Sequence, residues 1–309
     1  MKIYYSDEYN IDLDKLEIYH PFDGMKFKKI YQKLNKFNQV KFDFINDPVE
    51  DEIVNNFIDD SFRRLLLNNE YISYALGIQS ISLNNINKYI LLPMKFGVKG
   101  TIQASLNAII NNENGWNLSG GYHHACKDST EGFCIYNDIG IAYESHIKND
   151  ILNKNDKILI IDVDAHHGNG NANVFMNNNN VTILDVYNKD NYPTDKNTRN
   201  RINISVPLDG GTSGDIYLKL LNNALCKLKD KFKMTFVVAG TDVLNTDLLG
   251  GLRLSIEDCI KRDKMIIDKL NELSVPFCFL GGGGYSNESV IEISKSILEN
   301  IYKKENNHD

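Results

Sequence analysis

Residues 158–170 read ILIIDVDAHHGNG and decide the fold. The stretch begins as an unbroken apolar run whose length is typical of a strand buried on both faces. It then turns polar, and alternation along the strand places Asp162 and Asp164 on one side, with His166 following where the strand ends. Buried carboxylates need compensation, and Asp-x-Asp-x-His is a ligand set that suits a metal cation. The stretch therefore predicts a metal site at a strand end, with a carboxylate–histidine network capping the strand as the alternative.

The chain on either side alternates strand and helix signals, which is typical of a parallel sheet covered by helices on both faces. No internal repeat, low-complexity linker or composition shift marks a second domain. We therefore predict an α/β fold, a single domain over residues 1–309 with a central, mostly parallel sheet. Strands are expected at 2–5, 158–163, 181–186, 202–206, 235–240 and 276–280. In WNLSGGYHH (116–124) a short strand is expected to run into a glycine turn and a histidine pair. Helices are expected at about 24–35, 48–67, 100–110, 137–148, 215–230, 256–273 and 287–303.

The composition narrows the classes of function. Of the 309 residues, 42% are apolar, which is enough for one large core. The formal charge of −7 and the pI of about 5.6 argue against direct nucleic-acid binding and suit a cationic substrate, such as a lysine-bearing peptide or a polyamine. The five cysteines contain no C-x-x-C pair, which argues for a reducing compartment and against a cysteine zinc site.

Targeting signals are absent from the sequence pattern. No apolar run approaches the roughly 20 residues of a membrane span, and the N-terminal MKIYYSDEYN lacks the layout of a signal peptide. We expect a cytoplasmic protein without a membrane span, while a nuclear location or export by a non-classical route stays open. Nothing in the sequence indicates the oligomeric state.

Four segments place polar residues or glycines at the end of a predicted strand. Sites of open parallel sheets lie beyond the carboxyl ends of the strands, so these segments are expected to converge. Four of the seven histidines lie in them, as two adjacent pairs. The segments are GGYHH (120–124), DVDAHHGNG (162–170), AGTDVLNTD (239–247) and GGGGY (281–285).

Three side chains of these segments form a candidate metal site: Asp164, His166 and Asp242. Three protein ligands leave a position for water, which is the arrangement of a catalytic rather than a structural zinc site. Ferrous iron is compatible with the same ligands. For Asp242 the alternative is a cap on a helix that begins near Val243.

A histidine pair and a tyrosine are candidate acid–base groups. His123 and His124 could act as general base and acid, with Asp162 and Asn169 as the partners that orient them. Tyr285 follows four glycines and could donate its hydroxyl to the oxyanion of a tetrahedral intermediate. The alternatives are a hydrogen-bonded turn for the pair and a packed aromatic for the tyrosine. Taken together, the parts predict hydrolysis of an amide or ester at a metal.

The motifs GGYHHA, GFC (132–134), DVDAHHGNG, AGTDVL and GGGGY occur in the order found in zinc-dependent histone deacetylases. The chain resembles that family, of the arginase/deacetylase fold, from about residue 19 to 300. Three segments resemble its class IV, eleventh-type branch: YHPFDGMKFKK (19–29), DVYNKDNYP (185–193) and TDLLGGLRLS (246–255). The resemblance implies a lysine deacylase that acts on acyl-lysine proteins or peptides, and the branch implies a preference for long-chain fatty acyl groups.

The resemblance also implies roles for individual residues. The zinc ligands would be Asp164, His166 and Asp242, and Tyr285 would polarise the carbonyl. An acyl-lysine tunnel would be lined by Gly132, Phe133 and Tyr192, with Leu249 near its mouth. A structural potassium ion would take its ligands, largely carbonyls, from the region of Asp162, Asp164, His166, Asp185 and Val186.

One position departs from the class I pattern, which has Asp where this chain has Asn169. The amide leaves His124 without an ionised partner, so His124 should be harder to protonate. Class IV members share this feature, and we expect it to tune the acid–base step. His20 and His146 are interpreted as structural, and the basic run KFKK (26–29) as solvated surface.

Three other functions compete with a lysine deacylase. A ureohydrolase of the same fold needs a second metal site, and Gly168, Gly240 and Leu244 occupy the positions where its additional carboxylates would be. An acetylpolyamine amidohydrolase shares every catalytic residue, and only the class IV-like segments argue against it. A non-catalytic acyl-lysine-binding scaffold would be expected to have lost a ligand, a histidine or the tyrosine, all of which are present.

Overall fold

The computed structural model describes residues 1–302, so the last residue of the predicted helix 287–303 and the C-terminal tail lie outside the described range. Eight strands in this range form one sheet, in the order β2-β1-β3-β8-β7-β4-β5-β6. Every pair of neighbouring strands runs parallel. The strands are β1 (Lys2–Tyr5), β2 (Phe42–Phe44), β3 (Gly115–Asn117), β4 (Ile158–Asp162), β5 (Val181–Asn188), β6 (Ile204–Leu208), β7 (Met234–Val238) and β8 (Phe277–Leu280).

Twelve α-helices in the described range surround the sheet. Every residue of β4, β7 and β8 is buried, so both faces of the sheet are covered in its centre. The helices are α1 (Lys26–Leu34), α2 (Asp51–Phe57), α3 (Asp60–Leu65), α4 (Asn69–Ala75), α5 (Leu83–Ile86), α6 (Leu92–Asn111), α7 (Asp138–Lys148), α8 (Asn169–Val174), α9 (Lys196–Arg201), α10 (Gly214–Leu225), α11 (Ile256–Glu272) and α12 (Ser289–Ile297). No helix of this part of the chain is both long and apolar enough to span a bilayer.

The predicted α/β class with a largely parallel sheet is confirmed, and the apolar run that opens residues 158–170 is the central strand β4. It pairs with β5 on one side and β7 on the other, which places Asp162 beside Asp185 and Val238. Parallel strands that are buried on both faces are nearly continuous in apolar residues, and ILIID follows that rule until its last position. The first charged side chain of the motif therefore lies at the carboxyl edge of the sheet.

The predicted helix at 48–67 is wrong in one respect, because two helices occupy it. The backbone is extended at Ile58 and Asp59, between α2 and α3. The amide of Asp59 donates to the carbonyl of Lys127 at 2.8 Å, which a continuous helix would prevent. Apolar spacing alone does not reveal such a break, since both helices present apolar residues to the same core.

Short elements were missed by the sequence pattern. Strand β2 has three residues, and helices α8 and α9 have six each, too few to display a period. Helix α6 begins at Leu92, eight residues before its predicted start, with Pro93 in its first turn. A π-helical turn, Asn87–Leu91, joins α5 to α6, so Pro93 lies where the helical hydrogen-bond pattern changes.

Candidate active site and metal centre

The four polar segments meet because the strands that carry them are neighbours. Strands β3, β8, β7 and β4 are consecutive in the sheet, and each ends at the same edge. Their carboxyl ends deliver residues 120–124, 281–285, 239–247 and 162–170 to one place. This edge is where open parallel sheets bind their ligands.

The three candidate metal ligands lie together. One ligand atom from each of Asp164, His166 and Asp242 lies within 4.8 Å of the others. His166 Nδ1 is 2.7 Å from Asp242 Oδ2 and 3.2 Å from Asp164 Oδ1. Both carboxylates are fully buried. The next helix after Asp242 is α11, which begins at Ile256, so the alternative of a helix cap near Val243 is wrong.

The ligand set fits a divalent cation. Burial, together with the charge of Asp164, raises the pKa of Asp242 to about 7, which shows that the two carboxylates repel each other. The second oxygen of each is already held, since the Gly283 amide donates to Asp164 Oδ2 (2.7 Å) and the Ala165 amide to Asp242 Oδ1 (2.8 Å). Two carboxylates and an imidazole are ligands that zinc accepts, and a cation between them would remove the repulsion.

Gly283 keeps this site open. A Cβ on its backbone would lie 2.6 Å from Asp242 Oδ2 and 2.8 Å from Asp164 Oδ2. Any side chain at this position would therefore enter the space between the carboxylates. Within the glycine run before Tyr285, Gly283 is the member that approaches the candidate ligands.

The two adjacent histidines have different partners. His123 Nδ1 lies 2.9 Å from Asp162 Oδ2, and His124 Nδ1 lies 2.7 Å from Asn169 Oδ1. Burial alone would lower the pKa of His123, but the charges of Asp162 and Asp164 raise it to about 9. Burial, followed by the charges of His123 and His166, lowers the pKa of His124 well below its ordinary value. The pKa of the ring with a carboxylate partner is thus raised, and the pKa of the ring with an amide partner is lowered.

Tyr285 lies in the wall of the cavity that His123, His124, Asp164 and His166 also line. Its backbone amide donates to Asp247 Oδ2 at 2.7 Å, and its ring meets Phe22 edge-on, with centroids 6.4 Å apart. Burial, and then the charge of Asp242, raises the pKa of its hydroxyl well above the ordinary value. The hydroxyl therefore keeps its proton and can donate it in a hydrogen bond.

The predicted tunnel residues line a cleft that leads to the ligands. Gly132, Phe133, Tyr192 and Leu249 share this cleft with His124, His166 and Tyr285. The Tyr192 ring lies 5.4 Å from that of His124, and both Tyr192 and Leu249 remain partly exposed. A second cavity shares His124, His166 and Tyr285 with this cleft and is also lined by apolar side chains of the N-terminal part: Ile11, Phe22, Phe27 and Met94.

His20, interpreted as structural, lines the cleft, stacks on Phe133 with centroids 4.6 Å apart and accepts a hydrogen bond from the Phe22 amide at Nδ1. One nearby residue was misjudged from sequence. Lys26, interpreted as solvated, is 1% exposed. Its Nζ donates to the Gly282 carbonyl at 3.4 Å and lies 5.0 Å from the Phe22 ring centroid. The signal was the spacing of buried positions along α1, in which Lys26 shares a face with Ile30.

The predicted potassium region lies beside the metal centre. Asp185 is fully buried, and its Oδ2 is 2.6 Å from His167 Nδ1, while its Oδ1 has no hydrogen-bond partner. Val186 follows in the buried part of β5. His167 was not assigned a role from sequence, and its second ring nitrogen lies 3.1 Å from Thr198 Oγ1.

Comparison with known proteins shows what this chain is similar to. The family model for the histone deacetylase domain matches residues 20–301. "Histone deacetylase 2" of Arabidopsis thaliana is 30% identical over 313 residues, which cover 98% of this chain and 79% of that protein. "Histone deacetylase clr6" of Schizosaccharomyces pombe is 29% identical over 187 residues, which cover 57% of this chain and 44% of that protein.

Solved structures show the same fold. An HDAC homologue from Aquifex aeolicus superposes with a TM-score of 0.75 at 19% identity, covering 96% of this chain and 82% of that chain. The HD domain of HDA15 superposes with a TM-score of 0.73 at 16% identity, covering 96% of this chain and 90% of that chain.

Proposed function

The chain belongs to the histone deacetylase domain family, and we propose that it is a metal-dependent hydrolase of acyl-lysine amides in proteins or peptides. One observation carries the proposal. The cavity lined by His123, His124 and Tyr285 is also lined by Asp164 and His166 of the ligand set, and it shares residues with a cleft that is partly apolar. Each of the three parts has a role in amide hydrolysis.

Zinc is the metal that we propose for Asp164, His166 and Asp242, with ferrous iron as the alternative. When bound, zinc would lower the pKa of a water molecule and polarise the acyl carbonyl. For the region of Asp162, Asp164, His166, Asp185 and Val186 we propose a potassium ion. The unpartnered Oδ1 of buried Asp185 supports a cation there.

The reaction adds water across the amide bond. The oxygen of water forms a bond to the carbonyl carbon, and the histidine pair takes the proton that water loses. Tyr285 donates a hydrogen bond to the carbonyl oxygen as its negative charge develops. The carbon–nitrogen bond then breaks, and the lysine nitrogen takes a proton from the histidine pair. Asp162 and Asn169 each engage an Nδ1 atom, which leaves the two Nε2 atoms for these transfers.

We further propose that the acyl chain is long, as in the class IV branch that three segments of the chain resemble. The cavity that Asp164 and His166 line also has Ile11, Phe27 and Met94 in its wall, and these apolar side chains support this proposal. Apolar surface of this kind gains free energy by covering methylene groups, at about 0.8 kcal/mol for each one buried. The tunnel before it would be formed by Gly132, Phe133 and Tyr192, with Leu249 at the mouth.

The test is hydrolysis of matched lysine peptides that carry acetyl, octanoyl or myristoyl groups, with the zinc-loaded enzyme. We expect turnover to rise with chain length. Turnover of the acetyl peptide alone would contradict the long-chain preference and leave the deacylase standing. Turnover of acetylspermidine but no peptide would identify an acetylpolyamine amidohydrolase. Binding of acyl-lysine peptides without turnover of any substrate would identify a non-catalytic scaffold.

The cytoplasmic location and the absence of direct nucleic-acid binding stay predictions from the sequence. The negative net charge supports the second of them.

A further inference from the structure

A third group extends the contact between His124 and Asn169. Asn169 Oδ1 lies 2.7 Å from His124 Nδ1, and Asn169 Nδ2 donates to the carboxylate of Glu131. We propose that Glu131 is a positioning residue, which fixes the orientation of the Asn169 amide and through it the tautomer of His124. The inference deepens the proposed hydrolysis and rests on it for its catalytic consequence.

An amide side chain is asymmetric, whereas a carboxylate is not. A carboxylate accepts hydrogen bonds at both oxygens, so Asp162 can accept a hydrogen bond from His123 Nδ1–H whichever way the carboxylate is turned. Asn169 has one accepting end and one donating end. If its amide were reversed, Nδ2 would face His124 Nδ1, and that nitrogen would have to be the acceptor. The ring would then carry its hydrogen on Nε2.

Glu131 removes this ambiguity. Its carboxylate only accepts hydrogen bonds, so it selects the orientation in which Nδ2 of Asn169 points to Glu131 and Oδ1 points to His124. His124 must then carry its hydrogen on Nδ1. Nε2 is left with a free electron pair, which is the state that a general base requires. Glu131, which contacts His124 only through Asn169, thus takes the place of the direct carboxylate partner that His124 lacks at position 169.

The protein holds Glu131 in place for this contact. Its carbonyl accepts from the amide of Cys134 at 3.1 Å, and the two residues form a short antiparallel bridge. Burial, and then the Glu131 carboxylate, raises the pKa of the Tyr192 hydroxyl, and both residues line the cleft. Glu131 itself is half-buried in the wall of the cleft. The bridge to Cys134 therefore holds the Glu131 backbone in place, and its carboxylate has Asn169 Nδ2 as its donor.

The kinetic test compares Glu131→Ala with Glu131→Gln. Gln keeps an oxygen that can accept from Asn169 Nδ2, whereas Ala does not. We expect Ala to lower kcat about tenfold or more with a small change in KM. In most Glu131→Ala molecules His124 would carry its hydrogen on Nε2 and could not act as the general base. We expect Gln to retain most of the wild-type kcat. Asp128→Ala, which removes an exposed carboxylate from the same loop, is the matched control and should leave kcat unchanged.

Repeating the Glu131→Ala substitution in an Asn169→Asp enzyme separates effects that act through Asn169 from other effects. In Asn169→Asp the partner of His124 is a carboxylate, which no longer needs an orienting group. We expect Glu131→Ala to change kcat less than about twofold in that background. An equal loss in both backgrounds would overturn the proposal, as would a change in KM without a change in kcat.

The tautomer of His124 is measured directly by long-range ¹H–¹⁵N correlation spectra of protein labelled at histidine, with His124→Asn for assignment. We expect the Nδ1–H form in wild type and a gain of the Nε2–H form in Glu131→Ala. An unchanged tautomer in Glu131→Ala would overturn the proposal. Because this measurement needs no turnover, it also decides the role of Glu131 if no acyl-lysine peptide is cleaved and the proposed function fails.

Discussion

Gly132 lies so close to His124 that a Cβ on its backbone would come within 2.4 Å of the ring atom Cδ2. Gly132 also has a φ of +59°, which residues other than glycine rarely adopt. We therefore expect Gly132→Ala to displace His124 and to lower kcat at least tenfold, since misplaced reacting groups cost about that much or more. Steady-state kinetics on an acyl-lysine peptide measures this.

The control for that substitution is Gly210→Ala. A Cβ at Gly210 would have no neighbour closer than 3.8 Å, and Gly210 does not line the cleft. Equal activity losses in the two variants would show that the close contact between Gly132 and His124 has no special importance.

Tyr285→Phe should lower kcat by about 10² to 10³, the range found when one donor to an oxyanion is removed. The hydroxyl keeps its proton, as its raised pKa indicates, and stabilises charge that develops only during the reaction. KM and zinc content should therefore change little. Tyr74→Phe removes an exposed hydroxyl from the same cleft and serves as the control. A wild-type kcat in Tyr285→Phe would show that the Tyr285 hydroxyl takes no part in the reaction.

Asp242→Asn should abolish stoichiometric zinc binding. The substitution removes one of two buried carboxylates that lie beside His166 Nδ1, and with it a charge that the cation needs. Metal analysis after dialysis measures the zinc that remains, and Asp215→Asn, an exposed position on α10, is the control. One zinc per chain in Asp242→Asn would place the metal elsewhere.

The sequence was most informative where one strand of the buried sheet ends in charged residues. ILIID predicted both β4 and the place of the ligands, because an apolar run and its polar termination are local properties of the chain. The ligands Asp164 and Asp242 are far apart in sequence, and only the parallel order of β4 and β7 made their meeting predictable.

Side chains that reach the site from outside these motifs could not be predicted in this way. Glu131 carries no local pattern that distinguishes it from a surface charge, and the helical spacing that Lys26 shares with Ile30 does not specify which face of α1 is buried. Lys26 is buried because α1 turns that face inwards, and Glu131 meets Asn169 because the loop after it folds back to Cys134. Both contacts depend on tertiary structure that periodicity does not encode.

Glu292 is a buried acid whose two oxygens have no hydrogen-bond partner. Burial, and then the charge of Asp263, raises its pKa to about 8. Between pH 4.5 and 8 the unfolded chain ionises at this residue while the folded chain stays neutral, so the folded state binds more protons. Stability should therefore fall as pH rises through this window, by about 4 to 5 kcal/mol at most.

Glu292→Gln mimics the neutral acid and should remove this dependence. We expect the variant to be increasingly more stable than wild type as pH rises from 5 to 9, as measured by urea unfolding. Glu257→Gln, at an exposed position on α11, should follow the wild-type curve. A constant difference between Glu292→Gln and wild type at every pH would show that Glu292 does not titrate in this range.

His146 should make the protein sensitive to acid, in the opposite sense. It is 2% exposed on α7, with Nε2 2.7 Å from Ser105 Oγ, and burial lowers its pKa to about 4. Below pH 6.5 the unfolded chain takes up a proton at this ring, whereas the folded chain does so only near pH 4. Stability that is present above pH 6.5 is thus lost as pH falls to 4, by roughly 3 kcal/mol.

The difference between wild type and His146→Gln isolates this contribution, because other acidic groups titrate in both proteins. We expect the wild type to lose stability relative to the variant as pH falls from 6.5 to 4, in urea unfolding at a series of pH values. Ser105→Ala removes the hydrogen-bond partner but keeps the titrating ring, so it should retain the wild-type slope. If His146→Gln and wild type run parallel across this window, the ring is protonated equally in both states and the burial of His146 has no part in acid unfolding.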